Sequence, residues 1–257
     1  MMRTLRLTFI QVRYVNKTFW RNPAAAIFTF GFPLMFLVIF TVLLGHGMMH
    51  LDSRVIRQST YYVAAMAAFG VITSSYTNVA MTVTFQRDAG ILKRTNGTPL
   101  PAVSYFGAKV LHALFVALLL VALTAAFGRV FYQADVPTGM TLLRFLVMVV
   151  VGSTSFCALG VAATSLIPNA DSAPAIVNAT ILPLLFLSGI FIPLGNDAPA
   201  WVTFVARVFP VHHFASGLQA GFIGTPFSWT DVVVVAAWGA GGLIAALRFF
   251  SWEPHAS

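Results

Sequence analysis

The sequence predicts an all-α polytopic membrane protein: six transmembrane helices, an N-terminal amphipathic interfacial helix, and an external re-entrant helical hairpin between helices 5 and 6. Three observations lead there. Of 257 residues, 58% are hydrophobic and only 9% charged, whereas a soluble domain carries about a quarter charged residues. Too little polar surface remains to cover a water-facing globule, and the mean hydropathy is +0.85. The apolar residues also gather into runs of about 20, the length that crosses the hydrocarbon of a bilayer. Finally, Lys and Arg sit at the ends of those runs, as the positive-inside rule requires. The net charge of +8 therefore reads as membrane topology. It does not form the basic patch with interleaved aromatics that nucleic acid would need, and no nucleic acid partner is expected.

Residues 1–22 come first. On a helical wheel, Arg3, Arg6, Arg13, Lys17 and Arg21 fall within a sector roughly 80° wide, and Leu5, Phe9, Val12, Val15, Phe19 and Trp20 occupy much of the opposite side. This is the pattern of a helix lying in the membrane interface, its basic face toward anionic headgroups or a cytosolic partner. An unstructured topogenic tail would share the sign of the charges but not their clustering. The stretch is basic like a secretory n-region, yet the run behind it is charge-free from Pro23 to Gly45, longer than the roughly 7–15 residues of a cleavable segment. It reads as a retained first span, 24–45, separated from the interfacial helix at Asn22 and Pro23, because proline disfavours helix at the residue before it.

The other spans are read at 61–84, 103–127, 141–167, 173–192 and 231–250. Between the last two, residues 193–227 are apolar but interrupted by Arg207, Pro210, His212, His213 and glycines, which suits short re-entrant or interfacial helices better than a span. No internal repeat occurs at solenoid periods, so residues 1–257 read as one membrane domain. With six spans both termini share a side. Ten of the 15 Lys and Arg residues fall on that side, which makes it cytosolic. The single cysteine, Cys157, lies in an apolar run and reads as a packed, inert thiol.

Residues 85–98 interrupt this pattern. They belong to the most polar passage of the chain, "TFQRDAGILKRTNGTPLPAVSYFGAK", Thr84 to Lys109. A charged, rigid loop between two spans transmits a push only if it meets something outside the membrane. A purely topogenic loop explains Arg87, Lys93 and Arg94, but neither Asp88 among them nor Pro99 and Pro101.

Much chemistry is missing. No GxxxxGK[ST] string occurs, so the chain does not cradle nucleotide phosphates in the P-loop manner; no cofactor is expected on the chain itself. No GxSxG elbow presents a nucleophile. The interiors of the predicted spans carry no ionisable residues of the kind that proton-coupled transporters use, because Lys109, His112, Arg144 and Asp231 lie near span ends, where long side chains snorkel. "HGMMH" sets His46 and His50 at i, i+4 with two methionines between, a soft-ligand set; an interfacial polar turn is its default reading, and no metal site is assigned. The spans hold hydroxyl and amide groups instead: Ser74, Ser75 and Asn78 in "TSSYTN", then "GSTS" from Gly152, then Asn178 and Thr180. Such groups hydrogen-bond neighbouring helices or line a path for an amphipathic substrate. "GLQAG", Gly217 to Gly221, has GxxxG spacing, a frequent accident in a chain with 19 glycines.

Three stretches together resemble a known family, the ABC-2 type integral membrane permeases, and within it the drug-export branch of daunorubicin-type exporters. "RNP" at Arg21 to Pro23, with Pro33 in the span behind it, is similar to the family's approach to its first helix. "FQRDAGILKRTNGTPLPAVSYFGAK" is similar to its "ERExGTLKR…TPLP…GK" segment. "LPLLFLSGIFIPLGNDAPAWVTFVARVFPVHHFASGLQAGF", Leu182 to Phe222, resembles its fifth span and external hairpin. The resemblance implies that Gln86, Arg87, Asp88, Gly90 and Leu92 begin a cytosolic coupling helix, continued by Lys93 and Arg94, which docks on an ATPase subunit. It also implies that the N-terminal helix, with Arg6, Arg13, Lys17 and Arg21, rests against that subunit. Gln86 stands where the family usually has glutamate and Ile91 where it has threonine; the first departure removes one possible ion pair with the ATPase. The function implied is that of a permease subunit in the bacterial cytoplasmic membrane, exporting a hydrophobic or amphipathic solute. Two P-loop ATPase subunits, holding ATP and Mg²⁺, and a second permease copy or paralogue are its implied partners. A non-transporting membrane scaffold, or a membrane protein with an external His-Met metal site, is the alternative.

Overall fold

The computed structural model describes residues 2–44, 47–51, 54–194 and 198–253 and, of residues 2, 50, 51 and 54, the backbone alone. Helix α1 (Met2–Trp20) precedes α2 (Pro23–Leu44). A short antiparallel hairpin follows, β1 (Met48–Leu51) on β2 (Arg54–Arg57), with Met49 opposite Ile56. Then α3 (Gln58–Ile72), a π turn (Thr73–Thr77) and α4 (Asn78–Asp88) form one continuous helical rod. Helix α5 (Ile91–Asn96) is short. It is followed by α6 (Ala102–Tyr132), α7 (Gly139–Ala163) with a closing 3-10 turn, α8 (Ala173–Leu187), the pair α9 (Ala200–Val208) and α10 (Pro210–Ile223), and α11 (Trp229–Phe249).

Among the described residues five helical rods are long and apolar enough to cross a membrane: α2, α3 to α4, α6, α7 with its 3-10 turn, and α11. Helix α8 is different. Its 15 residues cover about 22 Å at 1.5 Å rise, less than the roughly 30 Å of hydrocarbon. The reading of 173–192 as a helix is thus cut short at Leu187. Gly189 adopts a left-handed φ of 83°, and the Tyr61 hydroxyl donates to its carbonyl, so the chain turns there instead of continuing. The external hairpin is helical, as expected, but α10 is not superficial: Val211, Phe214, Ala215 and Leu218 are buried. The β hairpin had no sequence signal, because each strand has only four residues and no alternating pattern.

Hydrogen bonds sort the helix ends onto two faces. On one, Ser104 at the start of α6 donates to Thr4 of α1, Arg87 at the end of α4 reaches the end of α7, and Lys93 of α5 pairs with Glu253 beyond α11. We call this the terminal face, since both ends of the described chain lie on it. On the other, Arg57 donates to the Gln133 carbonyl at the end of α6, the Asp135 amide to Thr60, and His213 meets Asp231 at the start of α11.

Packing between the rods depends on small residues, as membrane interfaces favour. A Cβ on Gly152 of α7 would lie 2.0 Å from the Phe214 ring of α10, and one on Gly160 would lie 2.7 Å from the Tyr76 carbonyl oxygen in the π turn. Gly217 and Gly221 of "GLQAG" abut Met148 and Phe145 of α7 in the same manner, so the GxxxG spacing there is a true close approach. The α3 rod is the centre of the domain, with Tyr61 to Ile72 continuously buried.

Candidate functional site

The charged segment on the terminal face is built by a break in a helix. Residues 85–98 were expected to form one coupling helix beginning at Gln86; the structure corrects this. Gln86, Arg87 and Asp88 form the last turn of α4, and Ala89 and Gly90 turn the chain. Gly90 adopts φ 69°, a left-handed conformation that glycine takes without steric cost. Helix α5 then runs from Ile91 to Asn96, anchored by Leu92, which is 0% exposed.

Three successive residues on a helix point about 100° apart, and these three find three different partners. Gln86 Oε1 accepts from the Tyr105 hydroxyl at 2.6 Å and from Lys109 Nζ at 3.0 Å, both on α6. Arg87 is 1% exposed. Its Nη1 donates to the Thr164 carbonyl at 2.9 Å, and its Nη2 to the carbonyls of Ile167 at 2.6 Å and Pro168 at 3.4 Å. These lie at the carboxyl end of α7, where unpaired carbonyls and the helix dipole favour a cation. Asp88 stands 3.5 Å from Arg87 Nε and accepts from the Ala170 amide ahead of α8. The acidic and basic residues of this turn are therefore spent within the chain, binding α4 to the α7–α8 connection. Gln86 faces α6, so the ion pair that an acid there would make is internal.

What remains for a partner is the outer side of α5. Ile91 is exposed, as are Lys93, Arg94, Asn96 and Gly97. The pair between Lys93 and Glu253 spans 3.2 Å with both side chains 66% exposed, a geometry that contributes little to stability. Helix α1 begins on the same face, where Ser104 of α6 bonds Thr4. It packs on α6 through Thr8 and Phe19, which are buried, with Thr8 against Gly107 and Phe19 against His112. Arg6, Arg13, Lys17 and Arg21 stay exposed, on the wheel side opposite that contact. Leu5, Phe9 and Trp20 are exposed beside them, as an interfacial helix requires.

Of the hydroxyl and amide groups in the spans, Ser74, Ser75, Asn78 and Thr180 take partners within the bundle. Ser75 bonds Ser153 of α7 at 2.9 Å, Tyr76 bonds Thr180 of α8 at 2.7 Å, Ser74 donates to the Val71 carbonyl, and Asn78 accepts from Thr82. These are bonds between and within helices. Asn178 is exposed on α8. A groove of about 840 Å³ opens between α4, α6, α7 and α11. Its walls are apolar apart from Lys109, Thr154, Ser155 and Cys157. Thr154 and Ser155 belong to the "GSTS" stretch; the rest of the wall carries no sequence pattern. Cys157 is buried, as expected, and lies on its wall. Lys109 does not snorkel to solvent: it is 5% exposed and turned to Gln86. His46 and the side chain of His50 lie outside the described residues. Among the described ones, no three His, Cys, Asp or Glu side chains come together as a metal set.

Such an arrangement joins a membrane core to an exposed charged helix through a buried polar lock. Comparison with curated proteins gives no match. Comparison with protein families matches residues 6–223, which include α5, its lock and the external hairpin, to the family described as ABC-2 type transporter. The chain belongs to that family, whose members form the membrane-spanning component of ATP-binding cassette transporters and work with an ATPase component.

Proposed function

We propose that the chain is the permease subunit of an ATP-binding cassette exporter, moving a hydrophobic or amphipathic solute of drug, lipid or glycolipid type out of the cytosol. Two copies, or this chain and a paralogue, would stand over two separate P-loop ATPase subunits, which hold ATP and Mg²⁺. The terminal face is cytosolic in this reading, in a bacterial cytoplasmic membrane, because ten of the 15 Lys and Arg residues fall on it.

One observation carries the reading: an exposed, charged helix is tied to a buried lock. Helix α5 is seated by Leu92 and continuous, through the Gly90 joint, with a turn whose Arg87 and Asp88 hold the ends of α7 and α8. Force applied to α5 by a closing ATPase dimer reaches α4, α7 and α8 together. Ile91, Lys93 and Arg94 make the contact; Gln86, Arg87, Asp88, Gly90 and Leu92 pass the movement inward; the basic face of α1 supplies the flank.

Copurification tests it. Lys93→Glu with Arg94→Glu should reduce recovery of the ATPase on the tagged permease by roughly tenfold, a change of about 1.4 kcal/mol, while membrane insertion stays at the native level. Unchanged recovery would remove α5 as the docking element.

A further inference from the structure

The groove between α6, α7 and α11 has no part in the coupling reading, and its wall includes a Lys that no acidic side chain among the described residues pairs with. Its volume of about 840 Å³ lies in the range of ligand pockets, about 300–1,000 Å³. Its walls run along α7 from Val151 to Val161 and along α11 from Ala236 to Phe250. At 1.5 Å rise these stretches cover about 15 and 21 Å, close to half of the roughly 30 Å hydrocarbon with some interface added. The groove is therefore one leaflet deep, on the terminal-face side. It opens laterally, past rim residues Val103, Leu243 and Leu247 that are 73%, 53% and 80% exposed. At its terminal-face end Trp252 packs on Phe106 and Phe250, an aromatic cluster of the kind found at headgroup depth.

Among the described residues, Lys109 is the only Asp, Glu, Lys or Arg on the wall. It lies seven residues into α6, about 10 Å from the start of that helix. Its ammonium is nearly enclosed, with Gln86 Oε1 as its one hydrogen-bond acceptor among the described residues and the Tyr105 ring 5.0 Å away. That amide oxygen is shared with the Tyr105 hydroxyl. No ion pair among the described residues includes Lys109. An ammonium has three donors, so a nearly enclosed cation with two donors to spare belongs to a residue on the wall of this apolar trough. A cation held at membrane depth calls for an anion.

We propose that an anionic glycerophospholipid of the terminal-face leaflet occupies this groove, its acyl chain along α7 and α11 and its phosphate paired with Lys109. The lipid fills the trough and completes the hydrogen bonding of the ammonium. The proposal goes beyond the transport reading and needs neither the ATPase nor turnover.

Native mass spectrometry of the delipidated full chain in detergent tests it, with titration by dioleoylphosphatidylglycerol or dioleoylphosphatidylcholine. The native chain should retain the anionic lipid over the zwitterionic one by on the order of tenfold. Gln86→Glu, which places a carboxylate against the ammonium from inside, should bring that ratio to about one, and Lys109→Gln should do the same. Ala240→Trp, which fills the trough from α11, should remove both lipids. An equal affinity of the native chain for the two lipids overturns the proposal, as does an anionic preference that survives both Gln86→Glu and Lys109→Gln. Retention that ignores Ala240→Trp places the lipid elsewhere and also overturns it. So does disulfide dimerisation of Leu243→Cys in a Cys157→Ser background, which would show a second copy covering the groove. Because no arm measures transport or ATPase binding, failure here leaves the coupling reading standing, and failure of copurification leaves this one standing.

Discussion

Arg87 is one of the largest fully buried side chains among the described residues and the one with a permanent charge. Its guanidinium answers three carbonyls at the end of α7 and, through Asp88, the start of α8. Removing one partner of a buried ionic cluster costs about 3–5 kcal/mol, because the rest is left uncompensated. Arg87→Met should therefore lower the thermal midpoint in detergent strongly, and Arg87→Lys should rescue it only in part, since an ammonium cannot reproduce the planar fork. Lys93→Glu disturbs only an exposed pair, and its melting curve should stay close to the native one. Equal losses for Arg87→Met and Lys93→Glu would contradict this division. The sequence placed these charges in one segment but did not say which of them faced inward. Neighbouring residues on a helix diverge by about 100°, so the direction of each depends on what packs around it: α6 for Gln86, the α7–α8 connection for Arg87 and Asp88.

Two joints decide how the elements move together. Gly90 has a left-handed φ with open space around its Cα, so Gly90→Ala brings backbone strain without a clash, about 1–2 kcal/mol. We expect a modest loss of stability and a larger loss of transport-linked ATPase stimulation, read by comparing melting temperature with hydrolysis in the reconstituted complex. If stimulation is untouched, α5 is not the lever. Gly160 differs, because a Cβ there meets the Tyr76 backbone oxygen of the π turn at 2.7 Å, which cannot yield as a side-chain tip can. Gly160→Leu should separate α7 from the rod formed by α3 and α4, abolishing folded yield on size exclusion. A native elution profile would refute that contact. The rods themselves were legible from run length, and α1 from its wheel. The π turn was not, because hydroxyl residues such as Thr73, which bonds the carbonyls of Phe69 and Gly70, also occur in ordinary helices. Nor was the early end of α8, set by the turn at Gly189 and its bond from Tyr61, a contact between residues 128 apart.

At the scale of the molecule, the fold class followed from composition, since 9% charge admits few architectures. Beyond Thr154 and Ser155, the groove left no trace in the sequence because apolar walls drawn from α6, α7 and α11 share no spacing. Lys109 was visible only as a charge near a helix end. The two faces of the domain should be separable by labelling in intact cells, using single cysteines in the Cys157→Ser background. A cysteine at Val55 should react with an impermeant maleimide from outside, and one at Arg13 should not. The reverse pattern would invert the topology. In the proposed complex the outer side of α5 meets the ATPase while the turn before it is locked inside the permease. Site-specific cross-linking of the assembled complex tests this most directly, with cysteines introduced singly at Arg94 and Arg87 and a short thiol-to-amine reagent. In complexes recovered at native size, a permease–ATPase adduct is expected from Arg94→Cys and none from Arg87→Cys; an adduct from Arg87→Cys with none from Arg94→Cys refutes this arrangement.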